Sequence, residues 1–119
     1  MRTSEPTSSG VFTDERGTLI AAELADVPFD VARVFVVRGP EDGAERGNHT
    51  VNGAQLMLLL SGRIEVHTGA DADHLGEPAV LDKPGARILL PDGAYIRYTM
   101  PDDDASILVL CERPFVARH

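Results

Sequence analysis

The sequence predicts an all-β fold, a sandwich or barrel of short antiparallel strands in one domain. Three observations predict it. Runs of four to eight apolar or β-branched residues recur along the chain, and Gly, Pro and Asp separate them. The runs are spaced as strands in sandwiches and barrels are. Helical periodicity is scarce throughout. At 119 residues, 43% hydrophobic and 25% charged, the chain has the size and composition of a single folded domain with one packed core.

Taken in order, MRTSEPTSSG is rich in Ser, Thr and Pro and has no apolar core of a targeting signal. A flexible arm is expected over residues 1–9 and a single domain over 10–119. VFTDERGTLIAAEL is expected to form two strands around a DERG turn. VARVFVVRG is a strand with Val31, Arg33, Phe35 and Val37 on one face and Val34 and Val36 on the other, because side chains alternate. RGNHTVNGAQ is expected to be a polar loop that enters LMLLL. That apolar run is short and lies between Gly53 and Gly62, so it is expected as a strand buried on both faces rather than a helix. With RIEVHTG it is predicted to form a hairpin turned at Ser61-Gly62. PAVLD, ARILLPDG, AYIRYTM and SILVLCERP complete the strands, and Asp102-Asp103-Asp104 is expected to be a solvated turn. There is no internal repeat and no linker.

Charge and composition exclude several functions. A net charge of −8 argues against nucleic acid, which demands a basic face. A few arginines in one pocket can still hold an anionic small molecule. Of eleven basic side chains only Lys83 is a lysine, which leaves Schiff-base chemistry one candidate. The single cysteine, Cys111, cannot form an internal disulfide; it fits a reducing cytoplasm and, in an apolar strand, an inert buried thiol. No apolar run has membrane-spanning length, so a cytoplasmic protein without a membrane partner is expected.

Gly85-Ala-Arg-Ile-Leu-Leu-Pro91-Asp-Gly93 is a glycine, five residues, then Pro-x-Gly. It resembles the start of the second cupin motif, and the LSG turn upstream resembles the end of the first. The order FTDERGTL, PFDVARVFVV, RGNH, LSGRIEV, LDKPGARILLP and ILVLCE is similar to one small cupin family over residues 11–112. These are the WxcM-like sugar 3,4-ketoisomerases, which act on thymidine-diphosphate (TDP) 4-keto-6-deoxyglucose. The resemblance implies a cupin jelly-roll β-sandwich, a homodimer, and a metal-free isomerase that moves a proton between C3 and C4 through an enediol. The family reads RGxHAH. Arg46, Gly47 and His49 match it, but Val51 stands where the second histidine is usual. Ala94 and Tyr95 replace the family's Trp followed by His or Arg, Tyr98 matches its tyrosine, and its acidic, Tyr-rich tail is largely absent.

On this resemblance His49 is the candidate general base, since imidazole exchanges protons near neutral pH. Tyr95 or Tyr98 would supply an O–H to the developing enolate oxygen. Strand register decides between them, because Tyr98 shares a face with Ile96 and Tyr95 with Arg97. Arg33 and Arg46 are candidates to clamp a diphosphate, with Gln55 and Arg97 as further substrate-binding residues. Bland alternatives stand beside each: a solvent-facing loop histidine, tyrosines that only pack, arginines paired with surface acids such as Glu45. No metal or other cofactor is expected, because a cupin metal site needs about three convergent ligands. The first motif offers His49 alone and the second no histidine; His67, His74 and His119 lie elsewhere. Two further functions remain open. One is an isomerase or cyclase recruited to another small molecule in natural-product biosynthesis. The other is a non-catalytic binding cupin in which His49 is vestigial.

Overall fold

A computed structural model describes residues 7–8, 10–39, 45–101 and 104–114. The strands are β1 (Thr7–Ser8), β2 (Val11–Asp14), β3 (Gly17–Ile20), β4 (Arg33–Arg38), β5 (Glu45–Thr50), β6 (Gln55–Ser61), β7 (Ile64–Gly69), β8 (Ala79–Leu81), β9 (Ala86–Leu90), β10 (Tyr95–Thr99) and β11 (Ser106–Cys111). The one helical turn among the described residues is the 3-10 turn Leu24–Asp26. All pairings are antiparallel. A five-stranded sheet runs β1-β9-β6-β11-β4, a four-stranded sheet β5-β10-β7-β8, and β2 and β3 form a separate hairpin. The expected all-β sandwich is therefore present. Of the expected N-terminal arm, residues 1–6 and 9 lie outside the described residues, while Thr7 and Ser8 pair with Arg87 and Ala86.

The main core lies between the two sheets. Met57, Leu59, Ile107 and Val109 of the five-stranded sheet meet Ile64, Val66, Ile96 and Tyr98 of the four-stranded one. A second cluster covers the outer face of the five-stranded sheet, where Leu56 and Leu110 pack under Val27, Phe29 and Val31. Strand β6 is thus sandwiched on both faces, which is why it reads as an unbroken apolar run instead of alternating. Strand β4 does alternate: Arg33, Phe35 and Val37 turn inward, while Val34 and Val36 are exposed.

Two expectations are corrected. The chain bends at Gly62, directly after Ser61 ends β6, but β6 and β7 do not form a hairpin; they belong to different sheets. Both edges of β6 are already taken, by β9 and β11. The chain leaving it must therefore cross to the opposite layer. Gly62 permits the crossing: its φ is +75°, and a Cβ there would lie 2.6 Å from Cα of Ala105. Second, Arg46 to Thr50 are not loop but strand β5, paired with β10 at the edge of the four-stranded sheet. An edge strand with one face in solvent carries little apolar signal, and β5 is also bulged, which erases its period. The acidic turn is described only at Asp104, which is exposed; Asp102, Asp103 and His119 lie outside the described residues.

Candidate active site

Between the sheets a cavity of about 690 Å³ opens at one end of the sandwich, a volume suited to a small molecule. Cross-strand registers build its walls. On the five-stranded side Arg33, Cys111 and Gln55 stand in one row across β4, β11 and β6. One step deeper the row is Phe35, Val109 and Met57, and the next is Val37, Ile107 and Leu59. Polar side chains therefore ring the mouth and apolar ones line the depth. Arg33 also lies over the Phe35 ring, 4.6 Å from its centroid, which orients the guanidinium along the wall. The opposite wall comes from β5 and β10, with Arg46 paired to Tyr98 and His49 paired to Ile96.

That last pairing depends on a bulge. Arg46 and His49 are three residues apart, so a regular strand would aim them at opposite faces. Between Ile96 and Arg97 the register shifts, leaving Asn48 as an extra residue on β5. Gly47 and Asn48 both take positive φ, +83° and +56°. Gly47 also has no room for a side chain, since a Cβ would sit 3.1 Å from the Ile96 carbonyl oxygen and 3.3 Å from the Tyr98 ring. Asn48 accepts a 2.7 Å hydrogen bond from Arg97 Nε on the outer face, which holds the extra residue away from the cavity. The bulge brings Arg46 and His49 to one cavity.

The imidazole is oriented by its own neighbour. His49 Nδ1 lies 3.1 Å from the Thr50 carbonyl oxygen. A carbonyl only accepts, so Nδ1 carries the proton and Nε2 is left as the basic nitrogen. Tyr98 is buried at 6% exposure and makes no hydrogen bond among the described residues. No fully buried side-chain nitrogen or oxygen among them lacks a partner, so its hydroxyl is not fully buried, and Tyr98 lines the cavity. Burial pushes the Cys111 thiol above its ordinary value of 9.0, with the Arg33 guanidinium only partly opposing it. It stays a neutral thiol near neutral pH, unsuited to nucleophilic chemistry.

Of the residues expected from sequence, His49, Tyr98, Arg33, Arg46 and Gln55 line this one cavity. Tyr95 and Arg97 do not. They alternate onto the outer face of the four-stranded sheet, where Arg97 meets Asn48 and stands 3.8 Å from Glu45. Val51 is buried at 1% exposure in the main core and does not line the cavity. Backbone bonds with Gly93 and Ala94 pin it there. Sequence reading missed Phe35, Met57, Cys111 and Arg113 as lining residues. The alternation of β4 pointed to Phe35, which follows Arg33 on the same face; nothing local marked the others. Among the described residues no three His, Cys, Asp or Glu side chains converge as a metal site would require. No helix among them is long and apolar enough to cross a membrane.

The profile of a protein family described as FdtA: WxcM-like, C-terminal, matches residues 7–118. No curated protein matches the chain. Among solved structures it is similar to a 3,4-ketoisomerase from Helicobacter canadensis, with 20% identity, 98% of this chain and 86% of that one covered, and a TM-score of 0.81. The histidine-to-asparagine variant of the 3,4-ketoisomerase QdtA from Thermoanaerobacterium thermosaccharolyticum, in complex with TDP-4-keto-6-deoxyglucose, matches at 18% identity, 96% and 82% coverage and a TM-score of 0.81. The WlaRB TDP-quinovose 3,4-ketoisomerase from Campylobacter jejuni matches at 23% identity, 95% and 87% coverage and a TM-score of 0.79. These likenesses establish a shared fold.

Proposed function

The chain belongs to the WxcM-like, C-terminal family, and from that premise we propose that it is a cupin isomerase acting by proton transfer next to a carbonyl. Its proposed substrate is a TDP-linked 4-keto-6-deoxy sugar, and the reaction a 3,4-ketoisomerization. The observation that carries the proposal is the convergence of His49, Arg46 and Tyr98 on one cavity through the β5 bulge. In the proposed reaction His49 Nε2 takes the proton from C3 while Tyr98 donates its hydroxyl proton to the C4 oxygen. The product of this step is an enediol. His49 then returns its proton to C4, and the C3 hydroxyl surrenders its own to the Tyr98 oxygen, leaving a C3 ketone. Arg33 and Arg46 hold the diphosphate, and Gln55 hydrogen-bonds the ligand at the mouth.

Tyr95 and Arg97 take no part in this chemistry. The proposed reaction uses no metal: both proton-handling groups come from the chain, and among the described residues no three His, Cys, Asp or Glu side chains converge as a cation site requires. The enzyme is proposed to work in the cytoplasm as a homodimer. One observation favours a second reading: Val51 is a core residue, and among the described residues His49 is the only histidine that lines the cavity. A cavity with one base suits an isomerization or cyclization of another small molecule.

The test is to incubate the protein with TDP-4-keto-6-deoxyglucose and follow the sugar by NMR. The proposal expects the 3-keto isomer to accumulate, with the rate unchanged by chelator. TDP binding without turnover would instead establish a binding cupin. Neither binding nor turnover would shift the assignment to another substrate.

A further inference from the structure

Strand β11 ends at Cys111, and the next residues cross the rim of the cavity. Glu112 is fixed there by two bonds to one residue: its N–H donates to the Ala54 carbonyl at 3.0 Å, and its Oε1 accepts the Ala54 N–H at 2.9 Å. The neighbouring Gly53 N–H is held by Asp92 Oδ1 at 2.9 Å. Arg113 then lays its aliphatic stem on the bare α-carbon of Gly53. A Cβ at Gly53 would lie 2.7 Å from its Cγ and 3.0 Å from its Cδ. The stem is thus seated in a slot beside Gly53, and Arg113 is one of the residues that line the cavity.

Two further facts bear on what it does there. Arg113 makes no hydrogen bond and no ion pair among the described residues, although the chain carries 19 acidic side chains. The cavity also inverts the charge of the molecule. Its described lining holds three arginines, Arg33, Arg46 and Arg113, against the single carboxylate of Glu45. A concave wall of one sign on a protein of the other focuses potential onto an ionic ligand. Arg33 comes from the five-stranded sheet, Arg113 from the segment that follows its strand β11, and Arg46 from the four-stranded sheet, so an anion at the mouth is met from both layers.

We infer that Arg113 is a substrate-binding residue that grips the diphosphate of the ligand from the rim, as the third arm of an arginine clamp. The inference rests on the nucleotide-sugar reading for the identity of the ligand, but its physical content is anion recognition. A planar guanidinium offers paired N–H donors to phosphate oxygens, which an ammonium does not reproduce.

Isothermal titration of the full chain with TDP, pyrophosphate and thymidine tests it, comparing the wild type with Arg113→Gln and Arg113→Lys. Arg113 is exposed, so neither variant should lose the fold, and circular dichroism checks this. The expected result is a weakening of TDP and pyrophosphate by about 10- to 100-fold in Arg113→Gln, partial recovery in Arg113→Lys, and unchanged thymidine. TDP bound equally by wild type and Arg113→Gln overturns the inference and leaves the nucleotide-sugar reading standing. Pyrophosphate bound through Arg113 by a protein that ignores TDP supports the inference and removes that reading. A wild type that binds neither overturns both.

Discussion

In the proposed reaction His49 acts as the base through Nε2, because its Nδ1–H donates to the Thr50 carbonyl. Its proposed partner is Tyr98, which lines the cavity while its ring packs in the core. Tyr98→Phe keeps the ring and removes only the donor. It should leave the unfolding midpoint in urea nearly unchanged and lower kcat by about 10²-fold, the loss typical of one donor to a developing oxyanion. A variant with normal kcat would reduce Tyr98 to a packing residue. At this scale the sequence was partly legible. Arg46, Gly47 and His49 stand together in a recognisable run. The choice between Tyr95 and Tyr98 was not readable, since it turns on whether β10 presents its even or odd residues inward. Arg113 was illegible because its role comes from contact with Gly53, sixty residues away in the chain.

The β5 bulge is the element on which the site depends. One residue, Asn48, decides whether Arg46 and His49 share a face. Deleting Asn48 restores a regular strand and sends one of them to solvent. Because β5 is an edge strand with most side chains exposed, the loss of stability should be about 1–3 kcal/mol, in the usual range for backbone changes. Turnover should fall to background. A deletion variant that stays folded, by circular dichroism and urea titration, and stays active would contradict the assigned role of the bulge. The strand itself escaped sequence reading because its polar, glycine-containing run looks like a loop. The β6–β7 connection was misread for a related reason. Ser61-Gly62 has the chemistry of a hairpin turn, and only the occupation of both β6 edges by β9 and β11 forces the chain into the other sheet. Strands with clear alternation or unbroken apolarity, β4, β6, β9, β10 and β11, were legible because burial dictates their pattern.

Among the described residues, the β4 edge and the β2–β3 hairpin carry exposed apolar side chains. Strand β4 ends the five-stranded sheet and exposes Val34 and Val36, each at 53%. The β2–β3 hairpin exposes Phe12 and Leu19, which face each other across the pair. A lone two-stranded hairpin is marginal in water, and an apolar edge invites pairing. Dimerization through these surfaces would cover both. Light scattering at micromolar concentration should give the mass of two chains, and Val36→Glu should shift it toward one; a monomeric wild type would contradict the homodimer. The jelly-roll architecture was legible from strand spacing and from the resemblance to small cupins. How the sheets close around a cavity was not, because that follows from registers set across the chain.

The central claim, that His49 moves a proton at carbon, is tested most directly by solvent deuterium incorporation. TDP-4-keto-6-deoxyglucose is incubated with the protein in deuterium oxide and incorporation at the carbons flanking the carbonyl is followed by NMR, for wild type and for His49→Asn. The wild type should incorporate deuterium as it isomerizes the sugar. His49→Asn should keep the fold and slow both incorporation and turnover by about 10²-fold or more, the scale of general-base catalysis. Incorporation at the wild-type rate in a folded His49→Asn protein would contradict the account.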